Sequence, residues 1–172
     1  MKKNIEEFLN APGISPETIP DIDLYMDQIL VFLDEKLKVY ERDENEKVMT
    51  KTMVNNYVKA KVIKRPHRKK YSKGQVEHLI MLYRLKSVLS LKDIQKIFGL
   101  MENQFESGYG LFREIEKAHL ESLALRYEKK PGQGSPDQTA KEIIELAVEA
   151  DLKKRLAEKL LDGLIQKEIK GK

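Results

Sequence analysis

Between Thr50 and Tyr71 the chain places amide and hydroxyl side chains at helical spacing and follows them with a run of cations. Lys51, Asn55 and Lys59 step by four, with Thr52 and Asn56 in a row beside them, so on a helix all five share one side. An exposed Asn offers a donor and an acceptor together, the pairing that suits an adenine edge, and Thr and Lys add further contacts. Arg65, His67, Arg68, Lys69 and Lys70 come next around Pro66. Cations so grouped neutralise phosphates, which holds a protein on a duplex without reading its sequence. The alternative is a solvated basic surface, and adjacent Asn residues alone mark only a poorly helical spot.

Charge distribution favours a polyanion. Ten of the 32 Lys and Arg residues lie between Lys47 and Val76, a window with none of the 28 Asp and Glu residues, so the rest of the chain carries an acidic excess. Self-repulsion within such a window costs stability, and a bound phosphate backbone offsets it.

Catalytic patterns are missing. There is no Gly-rich phosphate loop, no G-x-S-x-G and no H-E-x-x-H, and His67, His78 and His119 fall in different expected elements. With no cysteine there is no thiolate nucleophile, thiolate metal site or disulfide. Neither an enzyme, a metal nor a cofactor is expected. The longest aliphatic or aromatic run, Ile29 to Leu33, is far short of a bilayer span, and MKKNIEEFLNAPG has no apolar signal core, so the expectation is a soluble, cytoplasmic protein with no membrane partner.

The elements that position these residues read as helices. Pro12, Gly13, Pro16 and Pro20 make residues 1–20 an irregular lead-in. From Asp21 an apolar stripe, Ile22, Tyr25, Ile29, Phe32, Leu33 and Tyr40, predicts a helix of about 20 residues. Thr50 caps a short helix with Met53, Val54, Tyr57 and Val58 inward, and the basic segment 64–71 has no helical period. Ser72 to Gln75 has capping-box form and starts another helix. Ser90 to Asp93 starts a short one ended by Gly99. Gly108 and Gly110 mark a break before an amphipathic helix that reaches Tyr127. KKPGQGSPD, 129–137, reads as a linker, and Ser135-Pro136-Asp137-Gln138 opens a long helix. The stripe of that helix, Ile144, Val148, Leu152, Leu156, Leu160 and Leu164, steps by four; it joins two chains or docks on its own domain.

From TKTMVNNYVKAKVIK through KKYSKGQVEHLIMLYRLKSVLSLKDIQKIFG the chain resembles the DNA-binding domain of the mercury-resistance-regulator (MerR-like) superfamily. With PDIDLYMDQILVFLDEKL and MTKTMVNNY it resembles more closely the bacterial family known as domain of unknown function 1836. The resemblance implies that Tyr57 is the helix Tyr that approaches the DNA backbone. It also implies that Thr52 and Asn55 face bases, that Lys69 stands at the wing Arg, and that Tyr71 is the wing-terminal Tyr. The chain departs from that pattern with Asn56 at the second helix Tyr, Lys61 at the Gly before the aliphatic pair and His67 at the wing Gly. ERDENEKVM also separates the first helix from Thr50.

Together these readings predict an all-α chain: a winged helix-turn-helix DNA-binding domain over 21–100, a connecting helix over 101–128, the linker, and a C-terminal helical segment over 138–172. The expected function is sequence-specific binding of duplex DNA by a homodimer that regulates transcription. Its contacts are expected from Lys51, Thr52, Asn55, Asn56, Tyr57, Lys59, Arg65, His67, Arg68, Lys69, Lys70 and Tyr71. The rivals are a protein-interaction module with a basic face and a non-specific nucleic-acid binder; with only Tyr57 and Tyr71 as aromatics, the window lacks a stacking platform for single strands.

Overall fold

Leu24 and Tyr25, at the start of the stripe expected to be a helix, instead form strand β1 (Leu24–Tyr25), one of two strands among the described residues of a mostly helical chain. The computed structural model describes residues 2–43, 45–104, 107–127 and 135–170. β1 pairs antiparallel with β2 (Lys70–Tyr71), Leu24 opposite Tyr71 and Tyr25 opposite Lys70. The helix therefore starts later and is shorter than expected: α2 spans Met26–Leu37, followed by a 3-10 turn over Lys38–Tyr40. Tyr25 N–H donates to Gln28 Oε1 at 2.9 Å, which closes the N-terminus of α2. Of the stripe, Ile29 and Leu33 are buried and Leu37 joins them, whereas Ile22 and Tyr25 are exposed.

A long connection leads to helix α3 (Lys51–Lys59), and its far end is fixed. Val48 and Met49 are buried, and Val48 N–H donates to Asp34 Oδ1 on α2 at 3.3 Å. Thr50 caps α3 as expected, its hydroxyl accepting from Met53 N–H at 3.3 Å. At the other end Val62 N–H reaches Tyr57 O and Lys61 N–H reaches Val58 O, a Schellman motif, with Lys61 at φ 57° in the left-handed position.

Helix α4 (Lys73–Leu85) begins at Ser72, whose N–H meets Gln75 Oε1 at 2.9 Å. Five consecutive residues, Leu79 to Tyr83, are buried, so α4 is covered on all sides and forms the central pillar. Each fully buried Leu or Ile there contributes about 1.5–3 kcal/mol. Helix α5 (Leu91–Gln104) is capped by Ser90, with Asp93 N–H 3.2 Å from its hydroxyl, and runs straight through Gly99. The expected stop at Gly99 does not occur, because Ile94, Phe98 and Met101 continue the apolar face against the core.

Helix α6 (Gly108–Tyr127) packs across α1, α4 and α5. Residues 1–20 are not wholly irregular, since Lys2–Leu9 form helix α1. Pro12 and Gly13 end what precedes them without preventing it, and the segment around them enters the core through buried Ala11, Ile14 and Ile19. The Tyr109 hydroxyl on α6 donates to Ile14 O at 2.7 Å and locks this segment down.

Residues 128–134, most of the expected linker, lie outside the described residues. Helix α7 (Pro136–Lys170) follows, with Gln138 N–H 3.4 Å from the Ser135 hydroxyl. Its stripe is uncovered: Ile144, Val148, Leu152, Leu156, Leu160 and Leu164 are 48% to 63% exposed, while Leu161 is buried. Among the described residues no helix is long and apolar enough to cross a membrane.

Candidate nucleic-acid interface

Helix α3 sorts its residues by period. Val54 and Tyr57 face the core and Met53 and Val58 are half-buried, which leaves Lys51, Thr52, Asn55, Asn56 and Lys59 exposed. The polar row expected from spacing is thus accessible along the whole helix. Tyr57 is not. At 7% exposure it is a core residue, and burial pushes its hydroxyl pKa up. Tyr71 is buried more deeply, at 2%, with the same effect. Both rings belong to the apolar core on which α3 and β2 rest.

The basic segment is a hairpin tip. Lys70 N–H donates to His67 O at 2.8 Å, and the two residues between them, Arg68 and Lys69, have φ 49° and 65°. Positive φ at both central positions defines a type I′ turn, whose twist suits an antiparallel pair and which normally favours Asn-Gly. Here two cations occupy it, at a conformational cost of about 1–2 kcal/mol per residue. Arg65, His67, Arg68 and Lys69 are exposed, and Lys70 is half-buried.

Two contacts bring the tip and α3 to the same end of α2. Tyr25, the residue before α2, pairs with Lys70, whose Nζ lies 4.9 Å from the Tyr25 ring centroid. Asp27, in the first turn of α2, holds Lys51 Nζ at 2.7 Å. The segment between α3 and the tip is fastened as well, by Gln95 Nε2 on Lys61 O at 3.1 Å and Gln75 Nε2 on Lys64 O at 2.7 Å. Tyr25 and Asp27 are the members of this face that spacing missed. The signals for them were the Leu24-Tyr25 alternation and a Gln three residues after Tyr25, both hidden by the helical stripe.

Carboxylates occupy only the periphery. Lys51 pairs with Asp27, Lys64 with Glu102 and Lys73 with Asp21. The hydrogen bond that Lys73 Nζ donates to Asp21 Oδ1 raises the Lys73 pKa. Among the described residues no carboxylate pairs with Lys59, Arg65, Arg68 or Lys69, so the positive field at the tip and along α3 is open to a ligand. Behind this face His78 lies against Phe98, ring centroids 4.6 Å apart, and burial lowers its pKa. It belongs to the support. No group of three or more metal-ligating side chains converges among the described residues.

The family described as Domain of unknown function (DUF1836) matches residues 14–120, a stretch that contains β1, α2, α3, the hairpin tip, α4, α5 and most of α6. No curated protein and no solved structure matches the chain. Since that match covers more than half of the sequence and the whole candidate interface, the chain belongs to the domain of unknown function 1836 family.

Proposed function

We propose that α3 and the hairpin tip form a winged helix-turn-helix surface of the MerR-like kind that binds duplex DNA with sequence preference and regulates transcription. The observation that carries this reading is the tip itself. Among the described residues no carboxylate pairs with Arg68 or Lys69, which stand at positive φ beside an α3 whose outward row is Lys51, Thr52, Asn55, Asn56 and Lys59. A solvated loop gains nothing from placing cations where Asn-Gly would relieve the backbone, whereas a phosphate contact does. In this reading α3 enters the major groove with Thr52 and Asn55 toward base edges. Lys51 and Lys59 meet the flanking backbone, and Arg65, Arg68, Lys69 and Lys70 meet phosphates on the wing side.

A single such helix reads few base pairs, so two copies on adjacent major-groove faces, about 34 Å apart, are needed for useful affinity. The open α7 stripe supplies the means to join them. Its residues form an i±4 ridge, the kind that packs against a like ridge on a second helix. Ending the chain at Tyr127 should leave a folded monomer with much weaker duplex binding. A truncated protein that keeps the full-length assembly state would place the seam elsewhere.

Electrophoretic mobility shift with genomic duplex fragments, with and without non-specific competitor DNA, tests the central reading. A shifted fragment that survives competitor supports it. Loss of every shift under competitor indicates a non-specific binder, and displacement by an acidic protein without any preferred duplex indicates a protein-interaction face.

A further inference from the structure

Helices α1, α4, α5 and α6 line a groove of about 490 Å³. Its walls are mostly apolar, with Met81 and Leu85 from α4, Ile97 from α5 and Phe112 and Ile115 from α6, and His119 also lines it. The size and lining are those of a small-molecule site, in which an apolar surface holds the body and a few polar groups orient it. The polar groups here are unusual in their charge balance. Glu116 on α6 is 9% exposed and accepts from two guanidiniums, Arg84 Nε at 3.2 Å and Arg113 Nη1. Tyr40 adds a hydroxyl 3.5 Å from Glu116 Oε1, and its ring carries the Arg84 guanidinium 3.6 Å from its centroid.

One carboxylate thus serves two part-buried guanidiniums, and among the described residues no second carboxylate pairs with either. Arg113 Nη2 finds Pro12 O at 2.8 Å, but Arg113 Nε is buried without a partner. Excess charge in an apolar setting is costly unless a counter-ion reaches it, and Arg84, which lines the groove, is where an anion can do so.

We propose that this groove binds an amphiphilic monocarboxylate, an apolar body seated against α5 and α6 with its carboxylate on Arg84. A neutral ligand leaves the excess charge uncompensated, and a cationic one is repelled. The site is independent of whether the basic face meets DNA.

Calorimetric titration of the full chain with decanoate, decanol and decyltrimethylammonium, each below its micellar concentration, tests the proposal. Decanoate should bind saturably with one site per chain, decanol at least tenfold more weakly, and the ammonium not at all. Ile115→Glu adds a carboxylate to the groove wall at a half-exposed position, so the fold is retained, and it should weaken decanoate at least tenfold. Arg84→Met, if it folds, should bring decanoate down to the level of decanol. No saturable decanoate binding, equal affinity for decanol, or full affinity in Ile115→Glu would each overturn the assignment. No arm contains DNA, so failure here leaves the duplex-binding reading untouched.

Discussion

Asp27 Oδ1 lies 2.7 Å from Lys51 Nζ, so the first turn of α2 places a carboxylate at the edge of the cationic face. Both side chains are largely exposed, and such a pair contributes little to stability. It does set the local field: a phosphate approaching Lys51 meets Asp27 too. Asp27→Asn should cost at most about 0.5–1 kcal/mol of stability, because it removes the ion pair and a negative charge that favours the α2 N-terminus. At low salt it should tighten duplex binding several-fold, because like-charge repulsion is removed. Unchanged or weaker binding in a titration followed by fluorescence anisotropy would place Lys51 outside the interface.

Among the described residues, the three non-glycine residues with positive φ, Lys61, Arg68 and Lys69, all lie in the basic window. Lys61→Gly should stabilise the fold by about 1 kcal/mol, the left-handed penalty less the extra chain entropy of glycine. Arg68→Asn combined with Lys69→Gly should stabilise it by a similar amount and yet weaken duplex binding. Urea unfolding and anisotropy measured on the same samples separate the two effects. A wing variant that is more stable and binds as before would reduce the tip to a solvated turn.

Asn55 is exposed in the middle of α3, so Asn55→Ala should leave stability within about 0.5 kcal/mol. If its amide reads a base, the substitution should cost roughly 1–3 kcal/mol on the preferred site and less on random duplex. Equal losses on both, from competition binding, would limit Asn55 to the backbone.

Helix starts were legible wherever a cap is local. Thr50, Ser72, Ser90 and Ser135 each act within three residues, so sequence order alone reveals them. β1 was hidden because its partner Tyr71 is remote in sequence, and the alternation of two residues cannot outweigh a helical stripe. α1 and the run of α5 through Gly99 were missed for a related reason: proline and glycine signal breaks, but packing against the core decides where breaks fall. At the interface, period correctly separated Asn55 from Val54. The same period puts Tyr57 inward, where its ring joins the core. Lys61 has a φ of 57°, a conformation that favours glycine and that no local period announces. The α6 groove left no sequence signal, because Arg84, Arg113 and Glu116 converge only once α4 and α6 pack.

The most direct measurement of duplex binding through the wing is its salt dependence. Arg65, Arg68 and Lys69 are exposed and without carboxylate partners among the described residues, so replacing all three with Ala should spare the fold. Duplex affinity, measured by anisotropy across a range of salt concentrations, should fall by a similar factor on every sequence tested. The slope of log affinity against log salt should flatten by about 0.9 for each phosphate that the wing no longer neutralises. A folded triple variant whose affinity and slope match those of the parent protein would contradict the account.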